Sequence, residues 1–197
     1  MSMNTRHLLT ATTILALITL LSSSAMAQEG RASVKAELGA RLALDDWADI
    51  SGPGFGGTLG FHYHVTPELE LLVRAGYFAG LPKTTDQFFG FSGKVKTNEL
   101  PILFGARYHL PSNGAAGPLW AGLELGMSQI SYRAWIEDSD GDRDFFTDDQ
   151  ELEPTLVLGG GYDLGQVEPH VAVHWIPLDG DDLVAVVLTL GFDLTSF

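Results

Sequence analysis

Five histidines fall on one side of an alternating pattern. His62, His64, His109, His170 and His174 share that side with Lys35, Glu37, Arg41, Glu70, Arg74, Glu99, Arg107, Glu124, Glu153, Asp163, Glu168 and Asp193. Imidazole binds transition metals and changes charge near pH 6. Bases and carboxylates survive burial when they are paired. His64 and His109 hold equivalent places in a repeated strand end, as do Asp163 and Asp193, so a mixed histidine–carboxylate layer is expected there. Its expected role is hydrogen-bonded filling of an interior. A metal or proton site is the alternative.

A second group lies in the acidic stretch 137–151. Asp138, Asp140, Asp142 and Asp144 alternate, and Asp149 follows, a set of oxygen ligands of the calcium type. With Asp138 as first ligand, the sixth position is Arg143 where a calcium loop needs glycine. The twelfth is Asp149 rather than glutamate. A solvated acidic loop is therefore expected, with weak calcium binding as the alternative and no other cofactor. The chain has no cysteine, which excludes disulfides, thiol catalysis and thiolate metal sites. Ser128 and Ser131 lie on a different segment from every histidine, so no serine–histidine nucleophile is visible and no enzymatic activity is expected.

The elements that must position these groups begin after a leader. Arg6 and His7 precede an apolar run, Leu8 to Leu21, and Ala25-Met26-Ala27 is a small-residue cleavage site. Residues 1–27 read as a Sec-type signal peptide, cleaved before Gln28. Residues 28–197 then form one domain. Cleavage removes one arginine and no carboxylate, so the mature chain is one unit more negative than the full sequence at −14. That sign disfavours nucleic acid as a partner.

Eight segments alternate with period two. They are Val34 to Leu44, Phe55 to Val65, Leu69 to Ala79, Glu99 to Leu110, Leu119 to Met127, Leu152 to Leu164, Val167 to Trp175 and Leu183 to Leu194. One face is apolar throughout; the other carries glycine, the histidines and both signs of charge. Pro101 predicts a bulge in the fourth. No segment has a helical period. Short connections (66–68, 111–118, 165–166) alternate with longer, mostly acidic ones (45–54, 80–91, 137–150, 177–182). Every second strand ends in a related hexapeptide, 60–65, 105–110, 159–164 and 189–194. Each places an aromatic on the apolar face, so Tyr63, Tyr108, Tyr162 and Phe192 are expected to form an aromatic girdle. Phe55, Tyr77, Trp135 and Trp175 are candidates for a second girdle at the other end. The last strand is expected to end at Leu194, leaving Phe197 overhanging and out of phase.

Three stretches carry a resemblance: Asn98-Glu-Leu-Pro-Ile-Leu-Phe-Gly-Ala-Arg-Tyr-His-Leu110, Gly117-Pro-Leu-Trp-Ala-Gly-Leu-Glu-Leu-Gly126 and Leu188-Thr-Leu-Gly-Phe-Asp-Leu194. Over residues 28–197 the chain resembles the small outer-membrane β-barrel domain family of the OmpA/OmpX-like class. The expected fold is all-β, an eight-stranded antiparallel up-and-down transmembrane β-barrel. The glycine-rich, charged face would line the lumen as a salt-bridged plug. The resemblance implies the outer membrane of a diderm bacterium, assembly by the outer-membrane insertion machinery, and contact with outer-membrane lipids and lipopolysaccharide. The expected protein is a non-enzymatic monomer with a structural or surface-interaction role. Alternatives are a narrow channel or carrier of a small hydrophobic ligand, a lipid A-modifying enzyme, or a soluble lipocalin-like calyx. In the lipid setting, the acidic loop's alternative role is a divalent bridge to lipopolysaccharide.

Overall fold

The computed structural model describes residues 30–88, 91–112, 115–137, 143–165, 167–177 and 182–197; the leader, residues 1–27, lies outside the described residues. Nine strands and one short helix follow in order: β1 (Ala32–Leu44), α1 (Asp45–Ile50), β2 (Gly54–His64), β3 (Leu69–Gly80), β4 (Lys83–Phe88), β5 (Phe91–Ser112), β6 (Ala115–Glu137), β7 (Arg143–Tyr162), β8 (Val167–Ile176) and β9 (Leu183–Ser196). All pairings are antiparallel. The order runs β3-β2-β1-β9-β8-β7-β6-β5, and a β3–β5 pairing closes the ring into an eight-stranded barrel. β4 stands outside the ring and pairs with the start of β5.

Period-two alternation becomes two environments. Leu38, Phe104, Leu152, Leu158, Leu188 and Leu190 project outward and are exposed, Leu38 at 64% and Phe104 at 61%. A continuous apolar belt of this kind is untenable in water and matches a hydrocarbon solvent. No helix among the described residues is long and apolar enough to cross a membrane; the closed ring of strands leaves no ladder edge in the apolar zone. Tyr63, Tyr108, Tyr162 and Phe192 are exposed on the outer surface near the hairpin turns and chain termini, an end called here the terminal mouth. Phe55, Tyr77 and Trp175 are exposed towards the opposite, loop end.

Several expectations are corrected. Trp135 does not join the loop-end girdle: it is 5% exposed, next to a bulge at Ala134/Trp135, where the sheet has left the barrel. Pro101 makes no bulge. The β3–β5 register is the same on both sides of it, Ala75↔Ile102 and Phe78↔Glu99, and the ladder skips the pairs between because proline has no N–H to donate. The stretches read as loops 80–91 and 137–150 are largely strand. β5, β6 and β7 are 22, 23 and 20 residues long, where about ten residues suffice to cross. With β4, their loop-end portions form a four-stranded sheet projecting beyond the barrel. β7 meets β8 only from Leu156 onward, so among the described residues one edge of this sheet is unpaired from Arg143 to Thr155.

The first outer connection contains a helix that no periodicity announced. Asp45 takes the left-handed region at φ 49°, a conformation aspartate tolerates, and turns the chain back over the loop mouth. Six residues are too few to be helical alone. Trp47 anchors them, fully buried with Ile130, Ile176, Leu183 and Ala185 and flanked by Ala43 and Tyr132. The Lys83 ammonium donates to the Ala48 carbonyl.

The closing strand also differs. Lys35 pairs with Asp193 but Val34 pairs with Thr195, so Leu194 is the extra residue of a bulge. That bulge flips the alternation. β9 continues to Ser196, and Phe197 exchanges two backbone hydrogen bonds with Ala32, at 2.8 and 3.3 Å. Thr195 opposes the outward-facing Val34, so Phe197 is in phase with the apolar surface after all. Ala32 pairs with Tyr63 on its other side, which brings Phe197 into the girdle row. Deleting Phe197 removes both hydrogen bonds at the barrel seam and is expected to cost about 2 kcal/mol. The midpoint of urea unfolding checks this. Phe192→Ala, which leaves the seam paired, should shift the midpoint less; the reverse order would show that the bulge does not close the seam.

Candidate functional site

The polar face lines a lumen crossed by ion pairs at two levels. Near the loop end, Glu99 on β5 accepts from Arg41 on β1 (Nη1–Oε2, 3.2 Å) and from the Ser128 hydroxyl on β6 (3.2 Å). His174 Nδ1 on β8 lies 3.1 Å from the same Oε1. Arg41 also donates to the Thr97 carbonyl (3.1 Å) and the Ser51 hydroxyl (3.4 Å), and its guanidinium lies 4.4 Å from the Trp47 ring centre. Ser128 is hydrogen-bonded to the carboxylate that faces His174, so the order is serine–carboxylate–histidine and not the serine–histidine–carboxylate order of a nucleophile triad.

An apolar step of Leu103, Val157 and Ala172 separates this level from the next. There Glu37 on β1 is the hub. Its Oε2 accepts from Arg74 (2.6 Å) and Thr58 (2.6 Å), and its Oε1 from Arg107 (3.0 Å). Arg74 Nε reaches Glu124 at 2.6 Å; Arg107 Nη1 reaches Glu168 at 2.7 Å. Lys35 donates to the other Glu168 oxygen at 2.7 Å. Strands β1, β3, β5, β6 and β8 are thereby tied across the bore. Arg107 stacks over Trp120 at 4.1 Å. The space for Trp120 comes from Gly161, where a Cβ would sit 2.6 Å from the indole. Charged pairs in such surroundings are held by hydrogen bonds on most of their polar atoms, the condition under which burial is tolerable.

At the terminal mouth Glu70 gathers three histidines. His62 Nδ1 is 2.7 Å from Oε1; His64 Nε2 and His109 Nε2 are 3.2 and 3.7 Å from Oε2. His170, further in, shares a hydrogen bond with Thr189. Of the residues expected to line the lumen, Lys35, Glu37, Arg41, His62, Glu70, Arg74, Glu99, Arg107, His109, Glu124, His170 and His174 are buried. His64, Glu153 and Asp163 are half-buried, and Asp193 is exposed at the terminal mouth. Of the expected calcium ligands, Asp138, Asp140 and Asp142 lie outside the described residues. Residues 143–150 are extended in β7, so Asp144 and Asp149 lie along a strand, and Asp149 is exposed.

Sequence reasoning puts Thr58, Ser128 and Thr189 on the lumen face by the same alternation but does not mark them as the partners that complete these networks. It also passed over Trp47 and Ser51, which come from the first outer connection and carry no periodic signal.

No protein-family model and no curated protein matches the chain. Solved structures do. The attachment invasion locus protein Ail of Yersinia pestis, in complex with the heparin analogue sucrose octasulfate, is 10% identical with a TM-score of 0.56, covering 86% of this chain and all of Ail. Ail alone is 11% identical with a TM-score of 0.54 over the same coverage. A major outer membrane protein from Thermus thermophilus is 14% identical with a TM-score of 0.51, again covering 86% of this chain and all of that one. At these identities the likeness is one of architecture: the chain has the fold of the small eight-stranded outer-membrane β-barrels.

Proposed function

We propose that the protein is a non-enzymatic outer-membrane β-barrel with a structural and surface-interaction role. Its leader takes it to the periplasm, and its terminal mouth faces that side once inserted. The observation that carries this reading is the Glu37 hub, which ties Arg74 and Arg107 from across the bore with contacts of 2.6 and 3.0 Å. A lumen filled in this way is a rigid post, and interaction is left to the projecting sheet formed by β4 and the loop-end portions of β5, β6 and β7. Residues 137–153 hold nine carboxylates and one arginine. With a chain charge of −14, that surface repels polyanions unless a divalent ion bridges to lipopolysaccharide, and favours cationic partners.

The test has two arms. The protein is expected in the outer-membrane fraction with heat-modifiable gel mobility, and electrically silent in planar bilayers. Steady unitary currents would favour a channel instead, and recovery in the soluble fraction would favour a calyx.

A further inference from the structure

We propose that His64, Glu70 and His109 form a binding site for a zinc-type divalent transition ion at the terminal mouth. The three ligand atoms, Nε2, Oε2 and Nε2, all lie within 4.8 Å of one another. Two of the separations are 3.2 and 3.7 Å. Ligands about 2.05 Å from a tetrahedral zinc ion stand about 3.3 Å apart, so a small closure of the two imidazoles completes the fit.

A second observation points to a ligand. Glu70 Oε2 and His109 Nε2 are buried polar atoms with no hydrogen-bond partner, on residues 0% and 6% exposed. Leaving such atoms unsatisfied costs free energy that a coordinated ion would recover. Glu70 is also held for the task. His62 Nδ1 sits 2.7 Å from Oε1, steadying the carboxylate and leaving Oε2 turned towards the two imidazoles, as outer partners orient the ligands of metal sites.

The surroundings suit a cation. The inner level sets Lys35, Arg74 and Arg107 against Glu37, Glu70, Glu124 and Glu168, one carboxylate more than the bases. Asp163 and Asp193 line a recess at the same end with Lys35 and Glu168. The opposing groups are Lys35, 3.9 Å from Glu70 Oε2, and Arg107, 3.7 Å from Oε1, but each is engaged by Glu168 at 2.7 Å. The His64 side chain is 28% exposed, which gives access and leaves the fourth coordination position to water. Two imidazoles and one carboxylate select zinc, nickel or copper over calcium or magnesium. The inference stands on the lumen geometry and does not depend on the role of the outer surface.

Calorimetric titration of zinc chloride into the refolded, untagged chain in detergent tests it. One ion per chain is expected, with a micromolar or lower Kd. His64→Ala and His109→Ala should each weaken binding at least 100-fold, and His62→Ala, which loosens Glu70 without removing a ligand, about 10- to 100-fold. His174→Ala, at the other level, should leave binding unchanged. Half-exposed His64 is the substitution that disturbs the fold least, and heat-modifiable mobility verifies each variant. Zinc should also raise the unfolding midpoint of the unsubstituted chain and not that of His64→Ala. No saturable binding, or binding that persists unweakened in a folded His64→Ala variant, overturns the proposal.

Discussion

Glu37→Ala is expected to destabilise the barrel by about 3–5 kcal/mol, the cost of removing one partner from a buried ion pair. Glu37 is 1% exposed and accepts from two guanidinium groups and one hydroxyl. Its loss leaves Arg74 with Glu124 and Arg107 with Glu168, which tempers the penalty without cancelling it. The urea midpoint of the refolded protein in lipid vesicles, read from heat-modifiable mobility, gives the number. Glu37→Gln should recover little, because an amide keeps the shape but not the charge. Replacing Glu37, Arg74, Arg107 and Glu124 together by apolar residues of similar volume should cost far less than Glu37→Ala alone, since Glu168 keeps Lys35 and no orphaned charge remains. A cost below about 1 kcal/mol for Glu37→Ala would mean that solvent reaches the inner level and that the lumen is not the solid post proposed above.

Trp47→Ala is the second large effect. Truncating a fully buried tryptophan costs about 3–5 kcal/mol when the surroundings cannot collapse. Trp47 packs on Ile130, Ile176, Leu183 and Ala185 and lies under the Arg41 guanidinium. It sits, however, on a six-residue helix that nothing else buries as deeply. Once the anchor is gone, α1 can leave the mouth by itself, and the global cost is then limited to the free energy of that local opening. The sharper readout is limited proteolysis: cleavage within residues 45–53 should rise by more than tenfold while the barrel stays protected. Bilayer recordings of the same variant should remain silent, because the Glu99 and Glu37 levels still cross the lumen below. Currents appearing in Trp47→Ala would place the seal in the cap and not in the ion pairs.

What could be read from the chain follows from where lipid meets it. Along Phe55 to Tyr63 or Leu188 to Phe192, apolar side chains outside alternate with glycine, threonine or histidine inside, so strands, faces and the terminal-mouth girdle are legible residue by residue. Arg41, Arg74 and Arg107 are legible as lumen residues for the same reason. Which carboxylate each would choose is not, because register and strand order set that. β5 before Asn98, β6 after Gln129 and β7 before Leu152 lie beyond the apolar belt, where only scattered residues such as Ile130 and Trp135 are buried, so no regular alternation marks the strands and the stretches read as loops. Asp45 to Ile50 is shorter than two helical turns and shows no period. The bulge at Leu194 is invisible because only the partner strand reveals which residue is supernumerary.

The unpaired edge of β7 has a consequence for how copies of the protein crowd together. Among the described residues, the row of unpaired N–H and C=O groups beyond the barrel wall is open to strand addition from any neighbour, a second barrel included. Here the invitation carries its own deterrent. The edge from Arg143 to Thr155 carries five carboxylates, Asp144, Asp148, Asp149, Glu151 and Glu153, against one arginine, so two such edges approaching antiparallel bring mostly like charge against like charge. Pro154, which has no N–H to offer, sits at the point where the edge meets the barrel wall. The edge charge thus opposes edge-to-edge pairing of two copies and would favour an added strand whose charge is positive.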